Sequence, residues 1–393
     1  MATSRAGGLL RSPGQAQQAT FLELLFDVVF VFGLFRHNQW LFENMTWSGI
    51  FRTLVLLLAL WWVWSRVAGA TDRFDPQRPS IQLLVIASMF GVLVMAAAVP
   101  EAFGKWGWAF AGAYVAIQLG VSAVLALLVR GHEAQRVFLR LLFWSGLSAV
   151  PWIAGAVAHG TARLALWTLA VVVDYMAAGL RLPTPGLGRL DRSELAITGE
   201  HLAERFRQFF IIALGELFLI TGMAYGNNGF AVEHSAAILV YFATIVLFWR
   251  IYIYRAGELL AEAIAAAGDP LRLTITTTYA QPIMVAGLIA TANCVRHVVG
   301  QPFGHVQLIW LAMILGGPAL FLAGRGIFEY AVFARVSRNR LIGVLVLAAI
   351  SPAMIRAPRL VSSIAAALVL AGIAISDTAR ARGRPPEPPS PPG

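Results

Sequence analysis

Charge is scarce in this sequence. Only 13% of its 393 residues are Asp, Glu, Lys or Arg, while 58% are hydrophobic. Soluble domains carry about a quarter charged residues, so composition alone excludes a soluble fold and implies an integral membrane protein. Cysteine is nearly absent. Cys294 stands alone, which excludes an intramolecular disulfide and any multi-cysteine metal site. No GxxxxGKS/T phosphate loop, HExxH zinc pair or GxSxG elbow occurs, and Gly324 with Gly326 is too little for a nucleotide site. The first twenty residues hold Arg5 and Arg11 but no apolar run before Phe21. That argues against a cleaved signal peptide and for retention of the first apolar run as a membrane helix.

What the chain does have is apolar length. Windows of about twenty residues give about twelve spans, an all-α polytopic bundle. They lie near 21–35 (continuing towards 41), 50–67, 81–99, 106–129, 137–158 and 164–182, then 206–225, 236–254, 273–295, 306–323, 341–355 and 360–375. The last two are weakly separated, so the count is eleven or twelve. The chain divides into a polar N-terminal tail (1–20), a first membrane half (21–182), a linker (183–205), a second membrane half (206–378) and a Pro/Arg-rich tail (379–393). That last segment has the composition of a disordered one.

The net charge of +10 does not form a nucleic-acid stripe, because the basic residues are scattered through short loops. It sets orientation instead. With the N-terminus inside, about 23 of the 30 Lys and Arg fall on the inner side and 7 on the outer, which places both termini in the cytoplasm of an inner membrane. Trp61, Trp62 and Trp64 near one span end, and Trp106 and Trp108 at another, read as interfacial anchors. Gly112, Ala116 and Gly120 form a small-residue stripe that lets another helix approach closely. Each half opens similarly, with Glu23 matching Glu204 and Asp27 matching Gln208, the pattern of a 6+6 repeat.

The informative polar residues are acids inside apolar runs. Glu23 and Asp27 are four residues apart in Glu23-Leu-Leu-Phe-Asp27-Val-Val-Phe-Val-Phe and project from nearly one helix face. An ionised acid in hydrocarbon costs about 3 kcal/mol on insertion scales. By the helical rise, Asp27 lies about 10 Å in from its inner loop, Asp174 about 12 Å and Glu216 about 13 Å. Three acids at similar depth would meet in one bundle and form a polar cavity suited to protons or cations. The alternative is that they are buried staples paired with Arg205, Arg207 or Arg250, or bonded to Tyr175 and Tyr279. Glu23 and Glu204 lie nearer the interface, where acids at a helix start complement its dipole. Further along, Thr276-Thr-Thr-Tyr279-Ala-Gln281-Pro282 gathers polar groups before a proline that frees a backbone carbonyl. The seven histidines fall near span ends and read as solvated or interfacial.

Two stretches resemble a known family. Glu23-Leu-Leu-Phe-Asp27-Val-Val-Phe-Val-Phe is similar to the ELFFDLVFVF signature of the bacterial low-temperature-requirement A (LtrA) family. Gly199-Glu-His-Leu-Ala-Glu204-Arg205-Phe206, followed by Phe209 and Ile211-Ile-Ala-Leu-Gly215-Glu216, resembles its second signature, GEHLxERFxxFxIIxLGES. Phe74-Asp75-Pro76 and Pro185-Gly-Leu-Gly188 also resemble segments of that family, and the likeness weakens after about residue 270. Leu25 stands where Phe is usual, and Leu217 where the second signature has Ser. The resemblance implies a polytopic bacterial membrane protein, linked by its family name to growth in the cold, with no catalytic residues to carry over.

Three readings follow. The first is a transporter or ion pathway, proton-coupled through Asp27, Glu216 and Asp174, with Glu23, Glu204, Arg205, Tyr279 and Gln281 as further pathway candidates. The second is an intramembrane enzyme that uses the same acids on a lipid or isoprenoid. The third is a non-catalytic scaffold. The expected partners are membrane lipid and an unidentified small substrate or ion, without nucleic acid, cofactor or metal.

Overall fold

A computed structural model describes residues 8–11, 18–191, 194, 199–254, 256–382 and 388–392. The described residues form helices and no strand, with three isolated backbone bridges. Ten helices among them are long and apolar enough to cross a membrane. The chain divides into two compact units, residues 1–40 with 51–205 and residues 41–50 with 206–393.

Helices α1 (Phe21–Glu43), α2 (Trp47–Arg73), α3 (Pro79–Ala98), α4 (Gly107–Leu128), α5 (Gln135–Val157) and α6 (Gly160–Gly179) follow the first six expected spans. Helix α1 is about 34 Å long by its rise, enough to span a bilayer. It is not among the ten, because its acids and its Arg36-His-Asn-Gln39 run dilute the apolar stretch. In the first unit α3, α4, α5 and α6 pack in sequence, as short connections between antiparallel neighbours require.

The tryptophans divide. Trp106 and Trp108 are 42% and 62% exposed, as anchors would be, whereas Trp61 and Trp64 are 1% and 0% exposed and stack at 4.6 Å. Trp62 is also buried, against Tyr175. Helix α2 begins three residues before its apolar run and ends six beyond it, so these rings lie well inside the helix. They face protein, and the interfacial reading is corrected for all three.

Arg163 is a structural clasp. Its Nε donates to the carbonyls of Gly155 and Ala158, Nη1 to Ala102 and Gly104, and Nη2 to Ala156. These carbonyls include the unpaired last ones of α5, where a cation also complements the helix dipole. All three guanidinium nitrogens are satisfied.

The second unit contains α7 (Gly199–Asn228) from Phe206 onward, α8 (Val232–Ile253), α9 (Ala256–Ala266), α10 (Pro270–Gly300), α11 (Leu308–Phe333), α12 (Arg338–Met354) and α13 (Arg359–Ala381). Helix α9 corresponds to no expected span; its 11 residues carry Glu258 and Glu262 and are too short for one. Helix α7 starts inside the expected linker. Its first two turns are polar yet helical because they face protein partners, described below. Helix α13 reaches into the expected 379–393 tail, of which 383–387 and 393 lie outside the described residues. Ser390 donates from its N–H to the Val332 carbonyl at the end of α11.

Close helix approach occurs at α10 and α11 and not at the 112–120 stripe. A Cβ on Gly317 would lie 2.6 Å from the Thr291 hydroxyl and 2.9 Å from the Gly287 carbonyl, while Gly112 and Gly120 face open space. Gly317→Leu is therefore expected to destabilise the protein by about 1–3 kcal/mol or more through overpacking. Gly112→Leu should stay within about 0.5 kcal/mol of wild type. Thermal unfolding of both variants in one detergent checks this, and equal losses would contradict the packing.

Arginines also organise the end of this unit. Arg340 bridges Glu329 at 3.0 Å and Asp377 at 2.7 Å, Asn339 donates to Asp377 at 2.8 Å, and Arg325 donates to the Ile251 and Tyr254 carbonyls. These bonds tie α8, α11, α12 and α13 together.

Candidate functional site

The site begins where α1 begins. Thr20 and Glu23 form a capping box: the Thr20 N–H and hydroxyl donate to Glu23 Oε2 at 2.8 and 2.9 Å, and the Glu23 N–H donates back to the hydroxyl at 3.4 Å. This fixes the helix start and aims the second signature acid, Asp27, one turn deeper. Both are fully buried.

Helix α7 brings the complementary groups. His201 and Arg205 are also four residues apart, and they meet the two acids one for one. His201 Nε2 lies 2.9 Å from Glu23 Oε1, and Arg205 Nη2 lies 2.8 Å from Asp27 Oδ1. The result is a ladder of two rungs, one helical turn apart, joining the two signature segments within the first unit. All four side chains are buried.

Each rung has neighbours that shape it. On the first, His201 Nδ1 faces Asp72 Oδ1 at 3.1 Å, near the end of α2. Arg11, held by its Nε bond to the Thr71 carbonyl, places Nη2 3.0 Å from His201 Nε2 and 3.5 Å from Glu23 Oε2. On the second rung, Trp64 Nε1 donates to Asp27 Oδ1 at 2.8 Å, and the Arg205 guanidinium lies 5.7 Å from the Trp64 ring centre.

Two features separate this ladder from the clasp at Arg163. First, His201 Nε2 faces opposite demands. The Glu23 carboxylate at 2.9 Å favours a proton there as an ion-pair partner, although its Oε1 makes no hydrogen bond, while Arg11 donates to this nitrogen and asks for a lone pair. One proton on the ring decides which neighbour is satisfied. Second, the Asp27–Arg205 pair is incomplete. Asp27 Oδ1 takes both donors, and Asp27 Oδ2, Arg205 Nε and Arg205 Nη1 have no hydrogen-bond partner among the described residues. A buried pair is stabilising only when its remaining polar atoms are satisfied, and this one retains capacity for a proton or small cation.

The other candidates fall elsewhere. Asp174 on α6 accepts from the Tyr114 hydroxyl at 2.6 Å, with Arg66 and Ser148 nearby, and shares no partner with Asp27. Tyr175 donates to the Leu58 carbonyl and not to an acid. Glu204 is half-buried beside the ladder residues on α7. Glu216 belongs to the second unit, where it is 1% exposed; its Oε1 accepts no hydrogen bond among the described residues, and Arg296 is its nearby countercharge. Leu217 beside it is fully buried. Tyr279 is half-buried, and Gln281 donates to the Tyr252 hydroxyl at 2.8 Å, whose ring stacks on Phe210. Helix α10 runs on through Pro282, and the Thr276 and Thr277 hydroxyls return to carbonyls of their own helix.

The reading of the histidines is corrected at two of the seven. His201 and His37 are both fully buried, His37 against the Gly33 carbonyl. The missed signal was the i, i+4 spacing of His201 and Arg205, which repeats that of Glu23 and Asp27. Asp72, Arg11 and Trp64 carried no comparable signal. No group of three or more His, Cys, Asp or Glu among the described residues is placed to hold a metal ion.

The family profile described as "Bacterial low temperature requirement A protein (LtrA)" matches residues 18–375. Uncharacterized protein RA0937 of Rhizobium meliloti (strain 1021) is 34% identical over 328 residues, covering 82% of this chain and 80% of that protein. No solved structure matches.

Proposed function

The chain belongs to the bacterial low temperature requirement A family as a multi-pass membrane protein, and we propose that it works as a proton-coupled carrier through the α1–α7 ladder. The observation that carries this reading is the contested proton on His201 Nε2, one turn from a buried and half-satisfied Asp27–Arg205 pair. A ring whose protonation selects between Glu23 and Arg11 is a two-state element. Bistable polar elements of this kind let a bound proton change which helix contacts are made. Asp27 is the group positioned to take up a proton or small cation in competition with the Arg205 guanidinium, which stays charged throughout. In this reading the acids face the cytoplasmic side of the inner membrane, in accord with the Lys/Arg distribution. The 6+6 pairing of Glu23 with Glu204 and Asp27 with Gln208 belongs to the same reading.

The test is electrical and needs no known substrate. Proteoliposomes adsorbed on a solid-supported membrane are given a pH jump, in Na⁺ and then in K⁺ buffer. Wild type is expected to give a transient current above protein-free vesicles. No current in either buffer would end the carrier reading and favour a scaffold.

A further inference from the structure

A second polar feature lies in the first unit, on the stretch of α2 next to Asp72. A cavity of about 170 Å³ opens between α2, α4 and α5, with Arg66 and Arg73 on its wall. The two arginines are seven residues apart on α2, which sets them on nearly one face about 10 Å apart. Gly69 lies between them, exposed, and a Cβ there would meet nothing within 4 Å, so this face is the open side of the cavity. Apart from Ser65 the remaining wall is apolar, with Val121, Leu125, Val137, Phe138 and Leu141.

Acids flank both arginines, so it is the N–H donors left over after the Ser122 and Glu194 bonds, and not net charge, that mark this cavity. Asp174 lies near Arg66, and Asp72 and Glu194 near Arg73, but each of these acids has another partner. Asp174 is bonded to Tyr114, Asp72 to His201, and Glu194 to Arg140 at 2.9 Å. Arg66 donates one terminal nitrogen to the Ser122 hydroxyl, and Arg73 one to the Glu194 carbonyl. A guanidinium carries five N–H donors in a fork that fits phosphate oxygens.

We propose that this cavity binds the phosphate head of an anionic amphiphile, with Arg66 and Arg73 on the phosphate and the apolar wall along the start of the acyl chains. Basic pockets between membrane helices suit anionic headgroups because the ligand brings both the charge and the hydrocarbon. The proposal does not depend on the carrier reading.

The test uses the full chain in phosphatidylcholine nanodiscs, with phosphatidylglycerol added and retained lipid read by native mass spectrometry. Wild type is expected to retain phosphatidylglycerol about ten-fold over phosphatidylcholine. Gly69→Leu, which fills the opening and keeps both arginines, should remove that preference, and Arg73→Gln should weaken it. Equal retention of both lipids by wild type would overturn the proposal, as would an unchanged preference in Gly69→Leu. Displacement of the lipid by equimolar inorganic phosphate would assign the site to a free anion and overturn the amphiphile part.

Discussion

Arg205→Met should be the most destabilising single change at the ladder, costing about 3–5 kcal/mol. Methionine fills much of the same volume, so the loss comes from Asp27, left as a buried carboxylate with only Trp64 as donor. Asp27→Asn should cost less, because the amide oxygen still accepts from Trp64 and Arg205. Neutralising both residues should recover most of the stability, since replacing a whole buried ion pair is often close to neutral. The double-mutant cycle, measured by denaturant unfolding in detergent, is thus expected to be strongly non-additive. Additive losses would mean that the 2.8 Å contact contributes little.

His201→Gln is expected to have the largest functional effect for the least structural damage. Glutamine supplies an amide N–H donor towards one acid and a carbonyl for Arg11, but it cannot change protonation state. Stability should fall by no more than about 1–3 kcal/mol, the range for a buried hydrogen bond lost without replacement. The pH-jump current should drop to the level of protein-free vesicles. A His201→Gln protein with wild-type current would show that the ring is a bridge between acids and not a switch.

Much of the architecture was legible because it depends on local rules. The apolar runs predicted eleven or twelve spans, and each of the twelve runs has its helix, with ends displaced by up to ten residues. One displacement is instructive. Gly199 to Arg205 reads as linker because it is polar, yet it is helical because His201 and Arg205 have buried partners. Polarity marks a loop only when the polar groups face water.

The candidate site was half legible. That Asp27 is costly, and that Arg205 is a natural partner for a buried acid, follows from composition and spacing. That Glu23 pairs with His201 and Asp27 with Arg205 does not, because the residues of the second rung are 178 positions apart. Equivalent depth on three helices suggested a shared cavity for Asp27, Asp174 and Glu216. Depth fixes one coordinate and leaves helix rotation and neighbours open, and the three acids take different partners. The same gap explains the glycines. A small-residue stripe records a bare helix face and not what covers it, so Gly112 and Gly120 face open space while Gly317 meets a helix. Arginines counted as loop charges proved to be internal clasps at Arg163 and Arg340, whose partners lie on elements distant in sequence.

The neutral pair Asp27→Asn with Arg205→Gln tests the ladder most directly, because it separates charge from packing. The introduced glutamine would still be able to donate to the introduced asparagine, so the double variant should unfold within about 1.5 kcal/mol of wild type. In the pH-jump measurement it should nevertheless give no current above protein-free vesicles. A double variant that folds normally and keeps the wild-type current would contradict the account, leaving Asp27 and Arg205 as a structural staple between two signature helices.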